Sequence, residues 1–583
     1  MFKPFALIAA LTLAVSQAAP RIGEHPDKYR LVFDLGTDST YQVKNAQGSL
    51  TIEFQKAVLP VENRSLGLPF IQNYSSTSTT LQLVFAPTYT QMPMVSYLPA
   101  SGGMAARLIV DLPKEGSGSA VPSNPTTEPR VESPQPSEPQ STAPQQASGN
   151  PNPETLYPDS LDPNIDVQNY TLDLRVKPEQ NQLDATASIQ LKTTQTVSRI
   201  HLAFYGLKIS SVKQGNTSLK FDQQSRKVTI QLGKTVPRNT SITLDIAYSG
   251  VPRPVLEPGE TYEDGIGWKK HKNGIFVLNE PNGAMTWFPG NDHPSDKATF
   301  KVSITVPSKY LAVFNGTAQG SRNTGNQTTY TYQSIEPMAT YLTTVHINQY
   351  NVERSTLNGG VQVRNYRPVG ISKTFQAAEL AKLPDMMRFM ESWAGPYPFK
   401  EYGVIFTEHP TPYALETQTL STFPNRPLKD WGFLHEFSHQ WFGNSITPKT
   451  WSDLWLNEGF ATFFQDLYQY PREADLKAFL KTRHTRNRTQ QMKPPYIKER
   501  EELFSQRAYQ RGALVLHALR YRLGDAEFRR ILKVYYNTYK FSNASSEDFI
   551  QTVVKASGKT DLKAFLESWI YGRLVPDFPE LYR

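Results

Sequence analysis

Residues 113–158, a run of 46, carry 11 of the chain's 44 prolines, are filled out by Ser, Gln, Asn, Thr and Glu, and hold one aromatic residue, Tyr157. Such a stretch buries too little apolar surface to offset the entropy of ordering it, so it reads as a disordered linker, extended and semi-rigid. Ser133-Pro134-Gln135-Pro136 lacks the flanking basic and apolar residues of a polyproline ligand, which leaves spacing as its role. A chain of 583 residues interrupted in this way cannot fold as one body. A module before the tether and a larger body after it must each bury a core of their own.

Ahead of the tether, Lys3, the apolar stretch Phe5 to Val15 and the small residues of Ser16-Gln17-Ala18 form the pattern of an export leader over 1–18. Its apolar part is far shorter than the roughly 20 residues needed to span a bilayer. The expectation is a cleaved, exported protein, either secreted or placed in the periplasm or cell envelope. Residues 21–112 alternate apolar and polar residues in runs such as Leu50-Thr51-Ile52-Glu53-Phe54, separated by Gly, Asn and Pro, and predict a small all-β domain. The chain has no cysteine, so disulfides, thiolate zinc sites and a catalytic thiol are excluded, and any metal must be held by His and carboxylates. A net charge of +8 with scattered basic residues argues against a nucleic-acid partner.

Beyond the tether, 159–350 again alternates, as in Tyr170-Thr171-Leu172-Asp173-Leu174-Arg175-Val176, and predicts a second all-β domain. From about Phe375 the apolar period lengthens towards 3.6. Helices are expected near 375–393, 431–442, 453–469, 507–523 and 546–571, so 351–583 reads as a mainly helical domain with some strand.

That last domain carries His435-Glu436-Phe437-Ser438-His439. On a helix, residues four apart share a face, so both imidazoles can converge on one cation while Glu436 lies beside it without becoming a ligand. The competing reading is an amphipathic core helix, given Phe433, Leu434, Phe437, Trp441 and Phe442 around the motif. Glu458 decides between them: the eighteen residues after His439 suffice to end one helix, turn, and bring a carboxylate back from a second. Two His and one Glu leave tetrahedral Zn²⁺ one open position, as a catalytic zinc requires. Thr462, one turn beyond Glu458, is placed to support it from behind.

The runs HEFSHQWFGN (His435 to Asn444) and DLWLNEGFA (Asp453 to Ala461), with their spacing, resemble the zinc aminopeptidases of the aminopeptidase N family, which are gluzincins. The resemblance covers 159–583 and implies a saddle-like β domain followed by a thermolysin-like catalytic domain holding one Zn²⁺, with peptides as substrates. It also implies that Tyr509, in Ala508-Tyr509-Gln510-Arg511-Gly512, stabilises the oxyanion. Glu416, in Tyr413-Ala414-Leu415-Glu416-Thr417, matches the family's α-amine anchor on a strand whose backbone, here Ala414 and Leu415, pairs with the substrate. The family's Gly and Asn are replaced by Tyr413 and Thr417. Glu280 matches a second acidic anchor used by some members. Many relatives continue for several hundred residues into a helical domain; the form expected here is the short one without it, with a more open active site. Arg-Leu-Val-Phe-Asp-Leu from Arg30 and Arg-Leu-Ile-Val-Asp-Leu-Pro from Arg107 resemble the AMIN domain, which implies contact with the bacterial cell envelope.

Residue chemistry supplies a mechanism: zinc lowers the pKa of its water and polarises the carbonyl, while Glu436 takes the proton and later gives it to the leaving amine. Two alternatives stay open at this point. One is an endopeptidase, if Tyr413 and Thr417 spoil the amine anchor; the other is an inactive envelope-binding protein, whose mark would be a missing ligand, base or tyrosine, and none is missing.

Overall fold

The computed structural model describes the strands between 21 and 113 with a few of their connecting residues, and 156–582 apart from 258–264, 410 and 412. Residues 1–18, expected to be a leader, and residues 114–155 of the expected linker lie outside the described residues. Two compact units divide at 143/144.

In the first unit, Arg21–Glu24, Lys28–Leu35, Ala106–Pro113 and Met94–Leu98 form one sheet, and five further strands from Tyr41–Ala46 to Thr80–Phe85 form another. Both sheets feed one buried cluster that includes Leu31, Phe33, Leu50, Ile52, Tyr74, Leu83, Leu108 and Val110. The two AMIN-like segments are neighbouring antiparallel strands, Leu31 opposite Val110 and Phe33 opposite Leu108.

The second unit begins before residue 159. Leu156 and Tyr157, within the segment expected to be linker, are buried, with Tyr157 edge-on to Trp451 at 6.4 Å. A leucine and an aromatic side by side carry enough apolar area to dock, which the prolines before them do not. An eight-stranded sheet follows, in which Ile165–Lys177 is central and pairs antiparallel with Gln182–Thr193 but parallel with Lys297–Pro307. Buried and exposed residues alternate on either side of an irregularity at Val167/Asn169, which shifts the phase by one, so that from Tyr170 to Lys177 one face is left to the core and one to water. A smaller sheet holds Gly274–Leu278 between Gly267–His271 and Val345–Asn348 and delivers the chain to Glu280.

A four-stranded sheet, Tyr350–Thr356, Gln362–Pro368, Glu401–Phe406 and Ser421–Phe423, leads into the helical half. After a single turn at Ala377–Leu380, its longer helices are α1 (Leu383–Ala394), α2 (Asp430–Ser438), α3 (Trp455–Gln469), α4 (Glu473–Thr489), α5 (Gly512–Leu523), α6 (Asp525–Tyr539), α7 (Ser546–Ser557) and α8 (Asp561–Ile570). The helix expected over 546–571 is therefore two: Gly558, at φ 68°, ends α7 in the left-handed cap that glycine adopts without strain. Helices α4 and α6 lie outside the sequence-based expectation.

Candidate metal centre

Helix α2 buries Phe433, Leu434 and Phe437 and turns His435 and His439 towards α3, whose first turn carries Glu458. His435 Nε2 lies 3.3 Å from Glu458 Oε2 and His439 Nε2 lies 3.7 Å from the same oxygen; the three ligand atoms fall within 4.8 Å of one another. The outer nitrogens fix the tautomers. His439 Nδ1 sits 3.1 Å from the Phe442 carbonyl, which can only accept, so Nδ1 carries the proton. Burial holds His439 down at about 4, hence neutral, and its bare Nε2 faces a carboxylate oxygen. Acceptor against acceptor in a buried site is relieved by a cation between them, and these donors suit Zn²⁺. The Tyr509 hydroxyl donates a hydrogen bond to the Glu458 carboxylate.

Glu436 is half-buried beside the triad, and a carboxylate oxygen each from Glu436 and Glu416 lies within 4.8 Å of His439. Burial, then the charge of Glu458, pushes Glu436 well up. Glu416 is buried, and its Oε1 accepts no hydrogen bond among the described residues. Burial, then Glu458 and Glu436, raise it too. The Tyr509 ring lies nearly parallel to His435 at 6.3 Å. Glu280 is buried just beyond Gly274–Leu278, and with Glu416 and Glu458 it faces the Tyr341 phenol, whose pKa burial and these carboxylates raise.

The expected substrate-pairing strand is different. Leu415 donates to and accepts from Thr422, both at 2.8 Å, so its backbone is already paired; half-buried Ala414 packs against the core beside it. Thr419 at φ 62° and the Thr417 hydroxyl, which donates to the Leu420 carbonyl, fold the run back on itself.

Several residues that place the centre escaped the sequence reading. Gln465, not Thr462, meets a ligand: its Oε1 lies 3.1 Å from His435 Nδ1. The signal was available, since 465 is seven residues from 458 and shares its helix face. Gln440 and Asn444 donate to the Glu416 carbonyl at 3.0 and 2.7 Å. Tyr341 donates to the Gly443 carbonyl at 3.2 Å and accepts from Asn457 at 3.0 Å, joining the end of α2 to the residue before Glu458.

Two family models match: the peptidase M1 N-terminal domain over 166–342 and the peptidase family M1 domain over 432–569. Among curated proteins, Aminopeptidase M1-A of Oryza sativa is 29% identical over 323 residues, 51% of this chain and 37% of that protein. Probable aminopeptidase 2 of Sulfurisphaera tokodaii is 29% identical over 406 residues, 64% and 50% respectively. The chain thus spans half or less of these relatives' length. A crystal structure of an M1 zinc metallopeptidase from Deinococcus radiodurans matches at 30% identity and TM-score 0.67, covering 73% of this chain and 99% of that one. A mutant of that enzyme has been solved with a Tyr-Ser-Ala substrate.

Proposed function

We propose, for a chain that belongs to peptidase family M1, that it is a zinc aminopeptidase removing residues from the free N-terminus of peptides. The observation that carries the reading is a neutral His439 whose bare nitrogen faces Glu458, with His435 completing the donor set and, alongside, the Glu416 Oε1, which accepts no hydrogen bond among the described residues. Zn²⁺ held by His435, His439 and Glu458 would polarise the scissile carbonyl and acidify a water. Glu436 accepts that water's proton and returns it to the departing amine; burial raises its basicity for the task. Tyr509 donates its hydroxyl hydrogen to the carbonyl oxygen as charge builds there. Glu416, with Glu280, holds the substrate's α-ammonium, since a buried cation needs carboxylate partners.

The β-rich half is read as the family's saddle, and 1–18 as a leader that exports the enzyme to the envelope or medium, with the proline-rich segment as a tether. The test compares hydrolysis of leucyl-4-nitroanilide with its N-acetyl form, with and without a chelator. The reading predicts cleavage of the free amine alone, abolished by chelation and restored by zinc; equal rates on both substrates sink the exopeptidase claim.

A further inference from the structure

We propose that the backbone contact of Gly459 with Gly512, locked by the Arg511 guanidinium, sets the distance between Glu458 and Tyr509. Gly459, Gly512 and Arg511 are then positioning residues for the hydroxyl that meets the substrate carbonyl. This rests on the aminopeptidase reading of the centre.

Gly459 lies inside α3, where glycine is less stable than alanine, so helix formation does not explain it. Its neighbour does. A Cβ built on Gly459 meets Gly512 C at 2.9 Å and Cα at 3.0 Å, and one built on Gly512 meets Gly459 Cα at 3.0 Å. These are backbone atoms that cannot rotate aside. The two helices therefore touch main chain to main chain, one residue after the ligand Glu458 and three residues after Tyr509.

Between Tyr509 and that contact the helix is wound wide: Arg507–Arg511 is a π-turn, a feature that concentrates at functional sites. Its last residue, Arg511, is completely buried, and among the described residues its guanidinium donates only to carbonyls: Met492 at 2.7 Å, Trp569 at 3.2 Å, Leu574 at 3.0 Å, Arg573 at 3.4 Å, and Gly572. Trp569 to Leu574 form the end of α8 and its exit, where unpaired carbonyls and the helix dipole favour a cation. The wide turn is thus pinned to a third element while the glycine pair holds it against α3. Tyr509 can neither slide along α3 nor draw back from Glu458.

The test is Gly459→Ala in the zinc-loaded full chain, alone and combined with Tyr509→Phe. Moving the new methyl to ordinary contact requires a separation of about half an ångström, and a shift of that order is expected to lower kcat about 10- to 100-fold with KM within about twofold. In the Tyr509→Phe background the same change is expected to alter kcat by less than about twofold, because the group being positioned is gone. An equal loss in both backgrounds overturns the proposal. Crystal structures of the zinc-free proteins give a readout independent of turnover: the Tyr509 hydroxyl should withdraw from Glu458 while His435, His439 and Glu458 stay in place. An unchanged Tyr509–Glu458 distance overturns it as well. If Gly459→Ala does not fold, Arg511→Lys carries the same cycle and the same structural measurement. If the parent hydrolyses no free-amine substrate, the aminopeptidase reading fails, and the crystallographic distance still decides the positioning claim.

Discussion

Glu416→Gln should stabilise the metal-free protein and cripple the enzyme, two opposite effects of one carboxylate. Oxygens of Glu416 and Glu436 lie within 4.8 Å of each other, and burial together with Glu458 and Glu436 pushes the Glu416 pKa well up. At that separation and an effective dielectric of about 20, two ionised carboxylates repel by about 3.5 kcal/mol. A proton retained on one of them removes part of this, so the neutral isostere is worth about 1–3 kcal/mol to the metal-free fold. A unit the size of residues 144–583 has an unfolding entropy of roughly 0.9 kcal/mol per kelvin, which converts to a rise of about 1–3 °C in Tm. The same change deletes the charge facing the substrate ammonium. A charge-assisted hydrogen bond in a dry site contributes about 1.5–3 kcal/mol, so kcat/KM for a free-amine substrate should fall roughly ten- to hundredfold. Scanning fluorimetry of zinc-free protein measures the first effect, and steady-state hydrolysis of leucyl-4-nitroanilide by zinc-loaded protein the second. A lower Tm would refute the repulsion argument, and an unchanged kcat/KM would refute the ammonium anchor.

Glu436→Gln should keep about one zinc per chain by emission spectroscopy while losing about 10²–10⁴-fold in kcat, whereas His439→Ala should lose the metal itself; a Glu436→Gln enzyme of normal activity removes Glu436 as the base. Gln465→Leu should weaken zinc binding about 10- to 100-fold in chelator competition, because the His435 imidazole loses the partner that orients it, and an unchanged Kd would count against that role. Asp296 predicts a pH slope. Burial raises its carboxyl from 3.8 to about 8, so between these values the folded chain holds a proton that the unfolded chain has released, and stability falls as pH climbs. Urea unfolding should show a loss approaching about 1.4 kcal/mol per pH unit that Asp296→Asn flattens; an identical slope in both proteins removes the assignment.

What the sequence discloses about the fold depends on whether polar residues interrupt the apolar period. Tyr170 to Val176 is legible because alternate residues are buried along its length. Helix α4 is not: its inner face, Leu476, Leu480, Arg483, His484 and Asn487, is largely polar. Arg483 is held there by a bidentate pair with Asp466, and His484 by Tyr582 and the Pro576 carbonyl, partners supplied only once distant segments meet. The break between α7 and α8 had a local signal, Gly558, that apolar periodicity alone overrides.

The centre divides the same way, and the division explains why its signature is long. His435, His439 and Glu458 are legible because helical spacing and one chain reversal suffice to gather them. Where Glu416 sits relative to Glu436 is not, because it is fixed by side chains gripping a backbone. Gln440 accepts the Thr419 amide at 2.9 Å and donates to the Glu416 carbonyl, and Asn444 donates to that same carbonyl. Half-buried Lys297, from the β-rich half, donates in turn to the Asn444 and Ser445 carbonyls at 2.8 and 2.9 Å. The residues that follow the second histidine therefore do no chemistry of their own. They hold Glu416 at a set distance from Glu436 and the candidate metal ligands, so that, on the proposed reading, one helix and its exit carry both the zinc ligands and the reference point from which the substrate's N-terminus is measured.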